Sequence, residues 1–258
     1  MRMKPLILIS NDDGITSKGI KFLADIMREL GEVVIVAPDS PQSGQGHAIT
    51  IEDPLRYHKS DLFSDWGIEA YQCSGTPADC IKLAKNHILP KKPDLVVSGV
   101  NHGSNTSVSV LYSGTMSAAL EGTIEGLPSV GFSVCDYSYD AEFEHTREWV
   151  KKVAQSVLEN GLPQGTALNV NFPKYNGEPI KGMKVGRQAK GRWHEQFDER
   201  VNPSGRKYLW LTGKFVNPDT SEDTDEFAIE QNYGSIVPTK IDLTDYNYLE
   251  ELKGVWEE

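Results

Sequence analysis

The sequence predicts one α/β domain on a mostly parallel sheet, with a β-hairpin arm and a terminal helix towards its C-terminus. Three observations carry this. Leu6–Ile9, Val33–Ala37 and Leu95–Val97 are apolar runs too short for helices, the pattern of strands buried on both faces. A helical pattern with short joints lies between the first two, which makes a βαβ unit of a parallel sheet. Beyond Pro173 the composition shifts to glycine, lysine, aromatic residues and short alternating stretches, too poor in apolar periodicity for a second core. The 258 residues suffice for one large domain, with 1–180 as core and about 181–258 as projecting arm and C-terminal segment.

The first strand ends abruptly in Asn11-Asp12-Asp13-Gly14. Two adjacent carboxylates there lie where open α/β sheets bind ligands, and each resists ionising without a cation. A hard divalent metal, Mg²⁺ or Mn²⁺, is the natural partner for such oxygens. The same four residues also suit an ordinary turn, with Asp13 or a later residue capping the helix that starts near Thr16 or Ser17. That helix places Ile20, Leu23, Ile26, Met27 and Leu30 on one face and stops at Gly31.

The second strand, Glu32–Ala37, leads into a loop, Pro38 to His47, again at a strand's C-terminal end. Ser43 offers an oxygen to the same crevice, and Gly44 and Gly46 let backbone amides approach an anion. His47 is a candidate polar contact or catalytic group, although a lone histidine is more often structural. Ala48 to Gln72 reads as strands or a hairpin, and Thr76-Pro77-Ala78-Asp79 as a capped helix start. The third strand emerges at Asn101, whose amide oxygen suits a hard metal. Asp12, Asp13, Ser43 and Asn101 then converge from three strand ends.

Ser113-Gly114-Thr115 opens the next helix, and its free N–H groups make a plausible phosphate cradle; simple capping by Ser113 explains the same residues. Val130–Val134 is a strand, Glu142–Leu158 a helix ended by Asn160-Gly161, and Ala167–Pro173 the last short strand of the main sheet. Gly186 to Phe215 reads as a hairpin arm that needs another surface, which makes an oligomer the expectation. The tail, Ile241 to Trp256, reads as a short helix.

Composition narrows the function. A net charge of −11 argues against polymeric nucleic acid and anionic membranes as partners. No apolar stretch approaches a membrane span, and Met1 to Pro5 lacks a signal peptide's features, so the expected location is cytoplasmic. Cys73, Cys80 and Cys135 suggest neither a disulfide framework nor a zinc site. A phosphoacceptor receiver module also has an acidic pair after its first strand, but the third strand here carries Asp94 at the wrong end.

Together these segments resemble the SurE family of stationary-phase survival proteins, which are metal-dependent nucleotidases. The resemblance rests on Asn11-Asp12-Asp13-Gly14, Ala37-Pro38-Asp39 with Ser43 and Gly46-His47, Ser74 to Asp79, Ser98 to Gly103, Tyr112 to Thr115, and Asn169 to Pro173. It implies a Rossmann-like core with helices on both faces and one divalent metal per subunit on Asp12, Asp13, Ser43 and Asn101. Asp12, Asp13 and Asn11 are the candidate catalytic residues, and Gly44, Gly46, His47, Ser113, Gly114 and Thr115 the candidate phosphate-binding ones. The implied reaction is hydrolysis of nucleoside 5′- and often 3′-monophosphates, with short polyphosphate as a side substrate, by a homodimer or homotetramer built through the arm and an exchanged C-terminal segment. The alternative is a non-catalytic nucleotide-binding or assembly protein of the same fold. The chain departs from the family's pattern at Ser235-Ile236-Val237-Pro238-Thr239, where Thr-Pro-Leu more usually follows Ser-Ile.

Overall fold

The computed structural model describes residues 4–138 and 140–257. Residues 1–3, part of the stretch on which the signal-peptide expectation rests, lie outside them. In chain order the elements are β1 (Leu6–Ser10), α1 (Lys18–Met27), β2 (Glu32–Pro38), β3 (Tyr57–Ser60), β4 (Glu69–Cys73), α2 (Pro77–Leu83), β5 (Leu95–His102) and α3 (Gly114–Ile124). There follow β6 (Ser129–Val134), α4 (Arg147–Asn160), β7 (Thr166–Phe172), β8 (Met183–Val185), β9 (Arg192–Val201), β10 (Lys207–Val216), α5 (Asp225–Glu230), β11 (Gly234–Lys240) and α6 (Tyr246–Trp256).

Among the described residues nine strands form one sheet in the order β3-β4-β2-β1-β5-β6-β7-β11-β8, while β9 and β10 form a separate antiparallel pair. The run from β4 to β7 is parallel, β3 pairs antiparallel with β4, and β11 antiparallel with β7. Alternation along β1 shows why the short apolar runs are strands. Ile7 and Ile9 pack with Ile20, Leu23, Val150 and Val153 of α1 and α4, and Leu6 and Leu8 with Cys80, Ile81 and Ala118 of α2 and α3. Helices therefore cover both faces, and a strand between them is apolar throughout. No helix among the described residues is long and apolar enough to cross a membrane.

Several local expectations hold in detail. Thr76 and Asp79 form a reciprocal capping box with Pro77 at the first helical position, and Ser113 caps α3 by accepting from Met116 N. β3 and β4 are the expected hairpin between residues 48 and 72. One expectation is corrected: β7 is not the last strand of the main sheet, because β11 and β8 extend it from the C-terminal segment. β8 covers only Gly234–Ile236 of β11, so Pro238 lies where that edge is open and proline is tolerated in a strand.

Candidate active site

β1 is flanked by β2 on one side and β5 on the other, and the crevice beyond its C-terminal end is where such a sheet takes a ligand. The side chain of Asp12 is almost wholly buried there, at 4% exposure. Thr115 Oγ1 donates to Asp12 Oδ1 at 2.5 Å, and Gln42 N donates to its main-chain carbonyl at 2.7 Å. Burial, helped by the neighbouring charge of Asp13, pushes the Asp12 carboxyl up to about 6 despite the Thr115 bond. The helix N-terminus stands against this carboxylate because residue 114 is glycine: a Cβ there would fall 2.5 Å from Asp12 Cβ and 2.9 Å from Oδ2.

Asp13 is less buried, with Oδ2 3.1 Å from His102 Nδ1. The His102 ring packs edge-on against Phe143, and its Nε2 is buried without a protein partner. Asn11 faces the other way: Nδ2 donates to Gly14 O and Ser17 Oγ, tying the turn to the start of α1, and Oδ1 is buried without a partner. Asn101 commits Nδ2 to Gly103 O at 2.9 Å, which leaves its amide oxygen as the available ligand atom. A register shift between Ser98 and Asn101 on β5 sets that residue's position.

Asp12, Ser43, Gly44, Asn101 and Ser113 line one cavity of about 200 Å³. Gly114 and Thr115 stand behind it against Asp12, as the bonds above show. Gly44, at φ +76°, occupies the left-handed region that glycine adopts without strain. Gly46 N is already committed to Tyr112 O at 3.2 Å. His47 is turned away, with Nε2 2.9 Å from Glu121, and lines a different cavity with Val110, Leu120 and Ile124. Burial works to raise Glu121, but its bonds to His47 and to Lys82 Nζ, at 2.6 Å, outweigh it and hold the carboxyl below its usual range.

The loop between β5 and α3 adds residues that the sequence did not single out, Ser104, Asn105 and Ser109, which line the cavity with Tyr112 and with Trp193 from β9. Asn105 is held from below, its N–H donating to Asn171 Oδ1 at 2.9 Å, its Nδ2 to Ser133 Oγ at 2.7 Å, and its carbonyl accepting from Asn169 Nδ2 at 2.8 Å. Asn169 and Asn171 share one face of β7, so the period-2 spacing of that Asn-x-Asn is the signal that could have found this support.

A mostly parallel sheet with helices on both faces, and a carboxylate pair, neutral side-chain oxygens and a helix N-terminus gathered beyond its central strand, defines a Rossmann-like α/β protein with a polar cleft at the strand ends. A family model described as Survival protein SurE matches residues 7–195. The 5′-nucleotidase SurE of Cytophaga hutchinsonii is 60% identical over 254 residues, 98% of this chain and 97% of that protein. That of Christiangramia forsetii is 57% identical over 251 residues, 97% of this chain and 96% of its own. The crystal structure of the SurE protein from Aquifex aeolicus superposes with a TM-score of 0.83 at 39% identity, covering 98% of this chain and 100% of that one. The chain belongs to the SurE family.

Proposed function

We propose that the chain is a divalent-metal-dependent 5′-nucleotidase, hydrolysing nucleoside 5′-monophosphates, and 3′-monophosphates alongside them, to nucleoside and phosphate. The observation that carries this reading is the buried Asp12 set against the first turn of α3, in a cavity shared with Ser43 and Asn101. The names of its full-length relatives support it.

The donor set fits a hard cation. Two carboxylates with a hydroxyl and an amide oxygen are all-oxygen donors, a Mg²⁺ or Mn²⁺ set rather than a zinc one. Asp12, Asp13, Ser43 and Asn101 would hold one such ion per subunit, and Asp12 gains from it, since a cation offsets the burial that disfavours its charge. A bound divalent ion supplies charge neutralisation on phosphate and an activated water.

The chain's own residues do the positioning. Thr115 holds Asp12 in one orientation, and Gly114 brings the positive end of the α3 dipole to the phosphate, against an overall charge of −11 that opposes it. Gly44 leaves room for backbone amides to reach a second phosphate oxygen. Phosphoryl transfer asks mainly for such positioning and charge compensation, so no side-chain nucleophile is required. The exposed arm and the free thiols Cys73, Cys80 and Cys135 support a cytoplasmic homodimer or homotetramer.

The test is phosphate release from 5′- and 3′-monophosphates and short polyphosphate, with Mg²⁺ or Mn²⁺ added back after chelation, on wild type and Asp12→Asn. Metal-dependent release that falls by about two orders of magnitude or more in the variant is expected. A folded wild type that binds nucleotide yet releases no phosphate with either metal sinks the enzyme reading.

A further inference from the structure

The cavity at Asp12 is too small for a whole nucleotide. Its volume of about 200 Å³ falls short of the roughly 300–1,000 Å³ that small-molecule sites commonly offer. Beside it lies a second cavity, of about 520 Å³, lined by Val108, Tyr112, Arg192, Trp193, His194 and Glu195. The two share Tyr112 and Trp193, which therefore stand at the seam between them. Together they offer the space that a phosphate with a nucleoside attached requires.

We propose that the second cavity is the nucleoside subsite, and that Tyr112 and Trp193 are the specificity residues against which the nucleobase stacks. The proposal rests on the nucleotidase reading above and adds to it the part of the substrate that the metal and phosphate residues do not touch. Both rings are available: Tyr112 is 57% and Trp193 37% exposed where the two cavities meet. An aromatic face offered to solvent beside a phosphate site suits a flat heterocycle, because every base has a π-face and stacking needs no particular edge.

The Trp193 ring and the Tyr112 backbone are also held in place. Trp193 packs edge-on against Phe215 across the hairpin, with ring centroids 5.8 Å apart, and Gly191 O two residues before it accepts from Val108 N. Tyr112 N donates to Ser109 O and Tyr112 O accepts from Gly46 N, so its backbone joins the loop that carries Ser43 and Gly44. Tyr112 directly precedes Ser113, the cap of α3. The backbone that carries Tyr112 and the phosphate site are thus parts of one bonded unit, which limits the distance between base and phosphate. Recognition by stacking discriminates weakly among bases, so purines should be favoured over pyrimidines by overlap alone.

The experiment compares kcat/KM for AMP and for ribose 5-phosphate, which carries the phosphate and sugar without the base, in wild type, Trp193→Ala, Trp193→Phe and Tyr112→Ala. Folding is checked by circular dichroism. The expected result is that preference for AMP over ribose 5-phosphate falls about tenfold in Trp193→Ala, mainly through KM for AMP, and is restored largely by Trp193→Phe. Tyr112→Ala should lower the same ratio, and it carries the test if Trp193→Ala fails to fold. Equal losses on both substrates, or an unchanged ratio in both alanine variants, overturn the base subsite and leave the nucleotidase reading intact. A wild type that hydrolyses neither substrate overturns both.

Discussion

The cleft rim and the β9–β10 arm both break the rule that apolar side chains go inside and polar ones outside, and they break it in opposite directions. At the rim, Asn11, Asp12, Asn101, Asn105 and Thr115 are buried polar groups, most of them bonded to one another or to nearby backbone. On the arm, Phe197, Leu209, Trp210 and Leu211 are exposed apolar groups. Leu209, Trp210 and Leu211 are consecutive on β10, so both faces of the hairpin are uncovered. A buried carboxylate lowers stability and is kept for what it binds, whereas an exposed apolar ribbon is kept for what covers it. The first region's polar groups find most of their partners within the chain, and the second leaves its apolar side chains to solvent.

The largest expected effect separates these cases at the rim. Asp12→Asn should remove about two orders of magnitude or more of activity, while the metal-free protein melts no lower than wild type. Asparagine keeps an oxygen for Thr115 and sheds a buried charge. A large loss of melting temperature in the metal-free variant would mean that Asp12 is structural, and the contrast with the arm would weaken.

On the arm the opposite pattern is expected. Leu211→Lys places a charge on the uncovered ribbon and should shift the assembly to smaller species by about tenfold or more in dissociation constant, with circular dichroism of the core unchanged. Sedimentation of both proteins over a concentration series reads this directly. A wild type that is monomeric throughout would leave the ribbon's exposure without this explanation.

How much of each region the sequence shows follows from the range of its contacts. β1, β2 and β5 are legible because double burial gives each a run of consecutive apolar residues, and Asp12, Asp13 and Asn101 because each comes within a few residues after such a run. β8 falls among the short alternating stretches assigned to the arm and β11 contains Pro238, so neither reads as a strand of the main sheet. The loop that carries Ser104, Asn105 and Tyr112 has no periodicity, since it is shaped from outside by Asn169 and Asn171 some 64 to 66 residues away. His47 reads as a lone polar or catalytic candidate because its partner Glu121 is 74 residues distant. Trp193 is legible only as part of the arm, although it stands at the cleft.

A smaller effect sharpens the account of the rim. Thr115→Val keeps the shape of a fully buried side chain and removes only the hydroxyl that donates to Asp12. Activity should fall about five- to tenfold, chiefly in kcat, as Asp12 loses its fixed orientation. An unchanged kcat would show that the metal-side contacts alone orient the carboxylate.

The smallest effect lies at the seam between the two regions, where α5 joins the loop after β5 to the base of the arm. Asp225 accepts from Ser107 N and Ala189 N, and Glu226 accepts from the hydroxyls of Thr106 and Ser107. Burial raises the Glu226 carboxyl above its usual range, the Thr106 bond opposes this, and the charges of Asp225 and Glu230 add to it. A raised acid keeps its proton in the folded chain at a pH where the unfolded chain has released it. Stability therefore falls as pH climbs through the interval between the two values, and the penalty is complete above the folded one. Glu226→Gln retains an acceptor for the hydroxyls and removes that penalty. Its melting temperature relative to wild type should rise as pH climbs upward from the usual carboxylate range and then level off. A difference that stays constant across this range would mean that the seam is held by hydrogen bonds alone, with no cost from the buried charge.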